Sequence, residues 1–388
     1  MSGPISAVER IYMGFDHTHY VPILKGKQGE LNALLNTDPK LFPFFTPLIE
    51  VPPIPSEYPE GQDTPTPAKS IDDHIKLVAK GFTKALKGLP SVFVDGYYIE
   101  LEEELADGKS PIDALFEALR TAKIPFIPTI GLDRVEDYAD SVGVAVAIDK
   151  RGVCLRLVES DIESFTELGA QVASLLKVLK VSPKQVDLLI DFGPKVPQKS
   201  ALPFMLDALP DIENWRTLTV ASSSFPSSMM ALKKNSIEEL DRDEWLAWLS
   251  VRSKKKATKR IPTFGDYSIN HPILSEINPR IMQMSPNIRY TDDLIYVVAK
   301  GQAQPRKKKK PTPEDELARA QLAPSVQYPK LAAAIKKHPG WKKAKFSWGD
   351  MFIDKCSRKE CVGNSTDWRS VGTCHHIAAV VQQIANLL

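Results

Sequence analysis

Eight short apolar runs, each ending in a charged or polar residue, predict an α/β chain folded as a (β/α)8 barrel of the TIM type. A helix-like segment follows nearly every run, which is the signature of parallel strands joined by crossovers. The repeat covers about 250 residues, the size of such a barrel. The chain divides into a barrel over 1–300, a Pro/Lys-rich linker over 301–327 and a small C-terminal α+β extension over 328–388, packed on the barrel.

Strand one covers 20–25 and ends at Lys25, with Lys27 just beyond and a helix over 29–36. Strand two, 45–51, carries Glu50. Residues 52–67 are too rich in Pro for a helix or central strand and form a long βα loop on the face where loops cover sites. Ser70 is a helix N-cap with Asp72 and Asp73 in the first turn. Ile71, Ile75, Val78, Phe82 and Leu86 share one face of that helix. Strand three, 91–95, ends at Asp95, and the helix over 111–121 opens with Pro111.

Strand four, 125–130, carries Thr129 and leads to a helix over 134–142. A strand-like pair, 144–148 and 153–157, with a turn between, is the way into strand five and Arg156. A long helix covers 162–181. Strand six, 186–191, ends at Asp191, and a helix follows over 200–209. Strand seven, 216–221, runs into Ser222, Ser223 and Ser224. Trp245 and Trp248 give the helix over 243–252 an aromatic face, and strand eight, 261–266, ends at Asp266. Beyond it, 289–300 is strand-like, 328–337 is helical and 376–387 is an apolar helix.

Composition bounds the function. The chain has 388 residues, is 43% hydrophobic and 25% charged, and carries a formal net charge of +2. That balance is globular and gives no global drive towards nucleic acid or anionic membrane. The cationic run 306–310 reads as a solvated linker, with a phosphate or nucleic-acid contact as the alternative. No apolar stretch approaches the ~20 residues of a membrane span, and the start of the chain lacks a signal-peptide pattern. A cytoplasmic protein is expected, and four cysteines do not make a disulfide scaffold.

A barrel of this type carries its site at the C-terminal ends of the strands. That rim would gather Lys25, Lys27, Glu50, Asp95, Arg156, Asp191 and Asp266, both signs in one concave mouth, able to shift pKa values. Lys25, Lys27, Glu50, Asp95 and Asp191 are the candidates for catalysis; the plain alternative is strand-end charges held in salt bridges. Ser223 lies in the loop after strand seven, where barrels often hold phosphate. Trp368, Arg369 and His375 make the tail able to grip a planar or anionic ligand; the alternative is an anchor for the tail. Cys356, Cys361, Cys374 and His375 could suggest zinc, but C-x4-C-x12-C-H is none of the usual finger or ribbon spacings.

The words YVPILKGK (20–27), PLIEV (47–51) and Val94-Asp95, with FSWGD (346–350), GNSTDWR (363–369) and the pair His375-His376 in the tail, resemble the beta protein family of temperate phages, phage satellites and bacterial genomic islands. The resemblance implies phage defence or control of a neighbouring toxic protein, and no catalytic residue list. Three functions are therefore expected to compete. The first is binding of an anionic ligand, nucleotide-like or phosphorylated, at the mouth. The second is phosphodiester or phosphate-ester hydrolysis there, with Mg2+ or Mn2+ on the carboxylates. The third is neutralisation of a toxin-like partner protein.

Overall fold

The computed structural model describes residues 14–59, 64–99, 102, 104–163, 165–253, 258–274 and 284–387. The first residues of the 1–300 unit and Leu388 of the extension lie outside these. The strands are β1 (Tyr20–Leu24), β2 (Leu48–Glu50), a ribbon of β3 (Ser56–Glu57) and β4 (Thr66–Pro67) in the Pro-rich loop, β5 (Val92–Asp95), β6 (Phe126–Ile130), β7 (Val153–Val158), β8 (Val186–Asp191), β9 (Thr217–Ser222), β10 (Ser236–Asp241), β11 (Thr263–Asp266), β12 (Asn287–Thr291) and β13 (Ile295–Lys300). The helices are α1 (Gln28–Asn36), α2 (Ile71–Ala85), α3 (Pro111–Thr121), α4 (Glu136–Asp149), α5 (Phe165–Leu179), α6 (Leu202–Asp207), α7 (Asp243–Arg252), α8 (Pro313–Gln321), α9 (Pro324–Lys337), α10 (Trp348–Ser357) and α11 (Ser365–Ala385).

The strands close a parallel barrel in the order β1-β11-β9-β8-β7-β6-β5-β2. Alternation along each strand sorts side chains into two layers. Val21, Ile23, Leu48, Phe93, Ile127, Cys154, Leu189 and Ala221 fill the interior. Tyr20, Leu24, Ile49, Val94, Leu155, Leu188, Ile190 and Val220 face outward, under the helices.

The eighth barrel helix is α11, separated from β11 by the whole inserted layer. It packs against α1 and β1, and its Ile377, Val380, Val381 and Ile384 join the outer barrel core. The insertion holds β12, β13 and α8 to α10. Their strands pair antiparallel with β10 in a small sheet ordered β10-β13-β12. Ile288, Tyr290, Val297, Tyr328, Ile335 and Val371 make a second core there.

Three local readings change. Residues 144–148 belong to α4 and are not a strand. Tyr138, Ser141, Val142, Ala145 and Val146 are its buried set, at helical spacing, while Val144 and Ile148 are each 55% exposed. The strand-like segment 289–300 is a hairpin of β12 and β13, broken at Asp292 and Asp293. Within 301–327 lies α8, capped by Thr312 and begun by Pro313; it buries no residue. β10 was not expected, because its acidic, half-exposed residues show no apolar alternation.

At the N-terminal end of the barrel, His19 stacks on Phe15 at 4.2 Å and faces the Thr46 hydroxyl at 2.9 Å. Burial pushes its imidazole from 6.5 down to about 3. The folded state therefore binds this proton more weakly than the unfolded chain. The ring's contribution to stability is complete above pH 6.5 and is lost as pH falls towards 3. At pH 5 the expected loss is about 2 kcal/mol. Urea unfolding at pH 7 and pH 5 should show it, and a His19→Gln variant should show less of it. Equal pH dependence in both proteins would refute the assignment.

Candidate functional site at the barrel mouth

The parity that builds the apolar interior also builds the mouth. Two residues beyond Ile23, Leu48, Phe93, Cys154 and Leu189 stand Lys25, Glu50, Asp95, Arg156 and Asp191, so all five point inward above the apolar layer. Each is at most 8% exposed. Gly26 makes the turn after β1. Its φ is +64°, and a Cβ there would lie 2.5 Å from the Glu50 carbonyl oxygen, so the chain needs glycine at this crossing.

Arg156 is the hub. Its Nη1 reaches Glu50 Oε1 at 2.8 Å and Asp95 Oδ2 at 2.7 Å, and its Nη2 reaches Asp191 Oδ2 at 2.6 Å. The guanidinium fork also donates to the Tyr267 hydroxyl at 2.8 Å, which itself donates to Asp191 at 2.5 Å. Lys25 pairs with Glu50, lies 4.9 Å from the centre of the Tyr267 ring and donates to Tyr98 Oη at 3.3 Å. Arg134 pairs with Asp95 at 3.2 Å and lies 4.6 Å from the Tyr97 ring. Tyr97, 44% exposed, is the outer lip.

The electrostatics follow from this packing. Burial works against the Arg156 charge, but Tyr267, Asp191, Glu50 and Asp95 outweigh it and hold the proton more tightly than usual. Burial pushes the Asp95 carboxyl up, while Arg134 and Arg156 outweigh that and hold it below the usual range. Burial, then the Asp191 charge, push the Tyr267 phenol far up, so it stays a donor. The inner ring is charge-paired throughout.

Mg2+ or Mn2+ does not fit this ring. The carboxylates that would ligate it, Glu50, Asp95 and Asp191, converge on the guanidinium of Arg156, which fills the place a cation needs. Among the described residues no group of three or more His, Cys, Asp and Glu side chains could hold a metal.

Beside the ring lies a second sector. Lys27, exposed, is the N-cap residue of α1. Arg369 of α11 packs on the first turn of that helix, so closely that a Cβ at Gly29 would fall 2.8 Å from its side chain. Glu30 and Asn270 link the sector, with the Asn270 amide donating to Glu30 Oε1 at 2.7 Å.

The chain is matched along residues 20–382 by the model of a family described as Beta protein. The chain belongs to the beta protein family. The match starts with β1 and ends within α11, so in this beta protein the barrel and the inserted layer fall under one family description. Among curated proteins no match is found.

The other expected site residues of this beta protein lie elsewhere. Asp266 is one residue off the inward parity. It points outward and accepts from Tyr20 Oη at 2.5 Å and faces His376 Nε2 at 2.8 Å. Its neighbour Tyr267 is the inward residue, a member of the ring that end-of-strand counting missed and period-two counting from Thr263 could have found. Tyr98, in a short 3-10 turn after β5, and Arg134, just before α4, carried no comparable signal.

Ser223 is buried; its hydroxyl donates to the Asn270 carbonyl at 3.1 Å and accepts from Phe225 N. Trp368 stacks on Tyr328 at 4.9 Å and donates to the Val362 carbonyl, anchoring the extension. His375 is fully buried between Asp350 at 2.9 Å and the Thr291 carbonyl at 2.8 Å. Cys374 lies against Asn36 O at 3.6 Å, while the thiols of Cys356 and Cys361 face the carbonyls of Val362 and Phe352. Burial pushes the thiols of Cys374 and Cys356 up to about 11 and about 12. Zinc at Cys356, Cys361, Cys374 and His375 is therefore not supported by the geometry.

Proposed function

We propose that this beta protein binds an anionic small molecule, a nucleotide or another phosphorylated compound, at the barrel mouth, and that it does so as a cytoplasmic component of phage defence. The defence role rests on the family resemblance. No helix among the described residues is long and apolar enough to cross a membrane. The observation that carries the ligand reading is convergence: with Arg134 paired to Asp95, the buried ring balances three positive against three negative groups, and the sector beside it is left with one positive charge in excess. Lys25, Glu50, Asp95, Arg156 and Asp191 meet in one buried cluster, and the rim beside it adds Lys27 and Arg369 next to Glu30. Such a mouth offers an anion charge-assisted hydrogen bonds next to aromatic walls at Tyr97 and Tyr98.

Calorimetric titration with a panel of nucleotides and sugar phosphates tests the reading. At least one compound should bind the full chain, and Lys25→Met should weaken it about tenfold or more, the loss of one charge-assisted contact. In a plating assay, a Lys25→Ala, Asp95→Ala double variant should lose protection against phage. A panel silent towards the wild-type protein, or full protection by the double variant, would refute it.

A further inference from the structure

Arg289 of β12 and Arg369 of α11 come from two different elements to the same two acceptors. Arg289 Nη1 donates to the Ile269 carbonyl at 2.7 Å and reaches Asn270 Oδ1 at 3.5 Å. Arg369 Nη1 reaches the same carbonyl at 3.4 Å and also donates to Asn270 Oδ1. Among the described residues neither guanidinium has a carboxylate within 4.0 Å. The nearby Glu30 is held by the Asn270 amide and, at 3.3 Å, by the Lys27 backbone amide.

Two like charges held side by side, neither in an ion pair with a described carboxylate, repel. Burial lowers the pKa of Arg289 well below its ordinary value, and the Arg369 charge lowers it further; burial likewise lowers that of Arg369, against the pull of Glu30. The contrast with Arg156 is direct, since that residue meets three carboxylates.

The surroundings point the same way. The amides of Gln28 and Gly29, in the first turn of α1, make no hydrogen bond among the described residues, and a helix N-terminus favours negative charge. The Lys27 ammonium is close enough to feel Arg369 and Lys25. Arg289 is also fixed from the side, 4.8 Å from the centre of the Phe225 ring and bonded through Nε to Asn287 at 3.2 Å. A carboxylate ligand would match one guanidinium; two guanidiniums, an ammonium and a helix N-terminus match a tetrahedral dianion with three free oxygens.

We infer that Arg289, Arg369, Lys27 and the first turn of α1 form a subsite for the terminal phosphoryl group of a phosphate monoester, beside the Lys25–Arg156 ring. This deepens the proposed function and rests on it. The probes are inorganic phosphate and AMP, titrated calorimetrically at low ionic strength into the full chain. Inorganic phosphate should bind the wild-type protein, and Arg289→Gln and Arg369→Gln should each weaken it at least tenfold. Lys25→Met should weaken AMP more than it weakens inorganic phosphate.

A second readout guards against misfolding. Without ligand, the double Arg289→Gln, Arg369→Gln variant should melt no lower than the wild type, since repulsion is removed, and it should lose the rise in melting temperature that phosphate gives. Undiminished phosphate binding by the double variant would overturn the subsite. So would AMP binding that depends on Lys25 but not on either arginine, and that outcome would leave the mouth reading standing. No binding of phosphate, AMP or the wider panel to the wild type would overturn both.

Discussion

Replacing Arg156 with methionine is expected to destabilise the protein by about 3–5 kcal/mol, the cost of breaking a buried ion pair from one side. The reason is specific to this hub. One guanidinium satisfies Glu50, Asp95 and Asp191 together, at 2.6–2.8 Å, and its removal leaves buried carboxylates facing one another. Lys25 and Arg134 would still offset part of that charge, on Glu50 and Asp95, but among the described residues Asp191 would keep Tyr267 and the Gly193 amide, with no cation. Lysine at 156 should not rescue, because a single ammonium cannot span three acceptors. An exposed pair gives the contrast. Lys109 and Glu117 are more than half exposed and 3.0 Å apart, and Lys109→Ala should cost less than about 1 kcal/mol. Chemical denaturation of both variants decides the matter; similar midpoint shifts would show that the ring holds nothing together.

Ending the chain after Asn364 is expected to abolish cooperative folding, a larger effect than any single substitution. The truncation removes α11, and with it the apolar cover that Ile377, Val380 and Ile384 give the barrel. Tyr20 on the outer face of β1 would lose the His376 ring that lies 6.2 Å from its own, and Asp266 would lose its contact with the same histidine. The single variant Ile377→Ala, at a fully buried position, should cost about 2–5 kcal/mol and still fold. Circular dichroism and a thermal melt read both. A truncated chain melting cooperatively near the wild-type temperature would show that α11 is an accessory and not the eighth barrel helix.

Much of the fold was legible because it is periodic. The apolar runs at 21–24, 92–94 and 186–190 are buried strands, and a buried strand needs little beyond apolar residues at the right length. The cluster was legible for a related reason. Strands that end at one level and alternate with period two must bring Lys25, Glu50, Asp95, Arg156 and Asp191 to one mouth. Where parity was not counted, the reading slipped by one residue, from Tyr267 to Asp266. Arg289 was invisible, since nothing in an arginine on a hairpin says which arginine it will face.

The sequence by itself determined the barrel, its strand order of polar endings and the family words, because these depend on local periodicity and composition. Only the tertiary structure decided that the last helix in the chain is the eighth helix of the barrel, and that Arg156 closes the ring against a metal while Arg289 and Arg369 stand together with no carboxylate within 4.0 Å among the described residues. These are contacts between residues 20 to 110 positions apart. Their energies depend on distance and burial in three dimensions, quantities that no window of the chain contains.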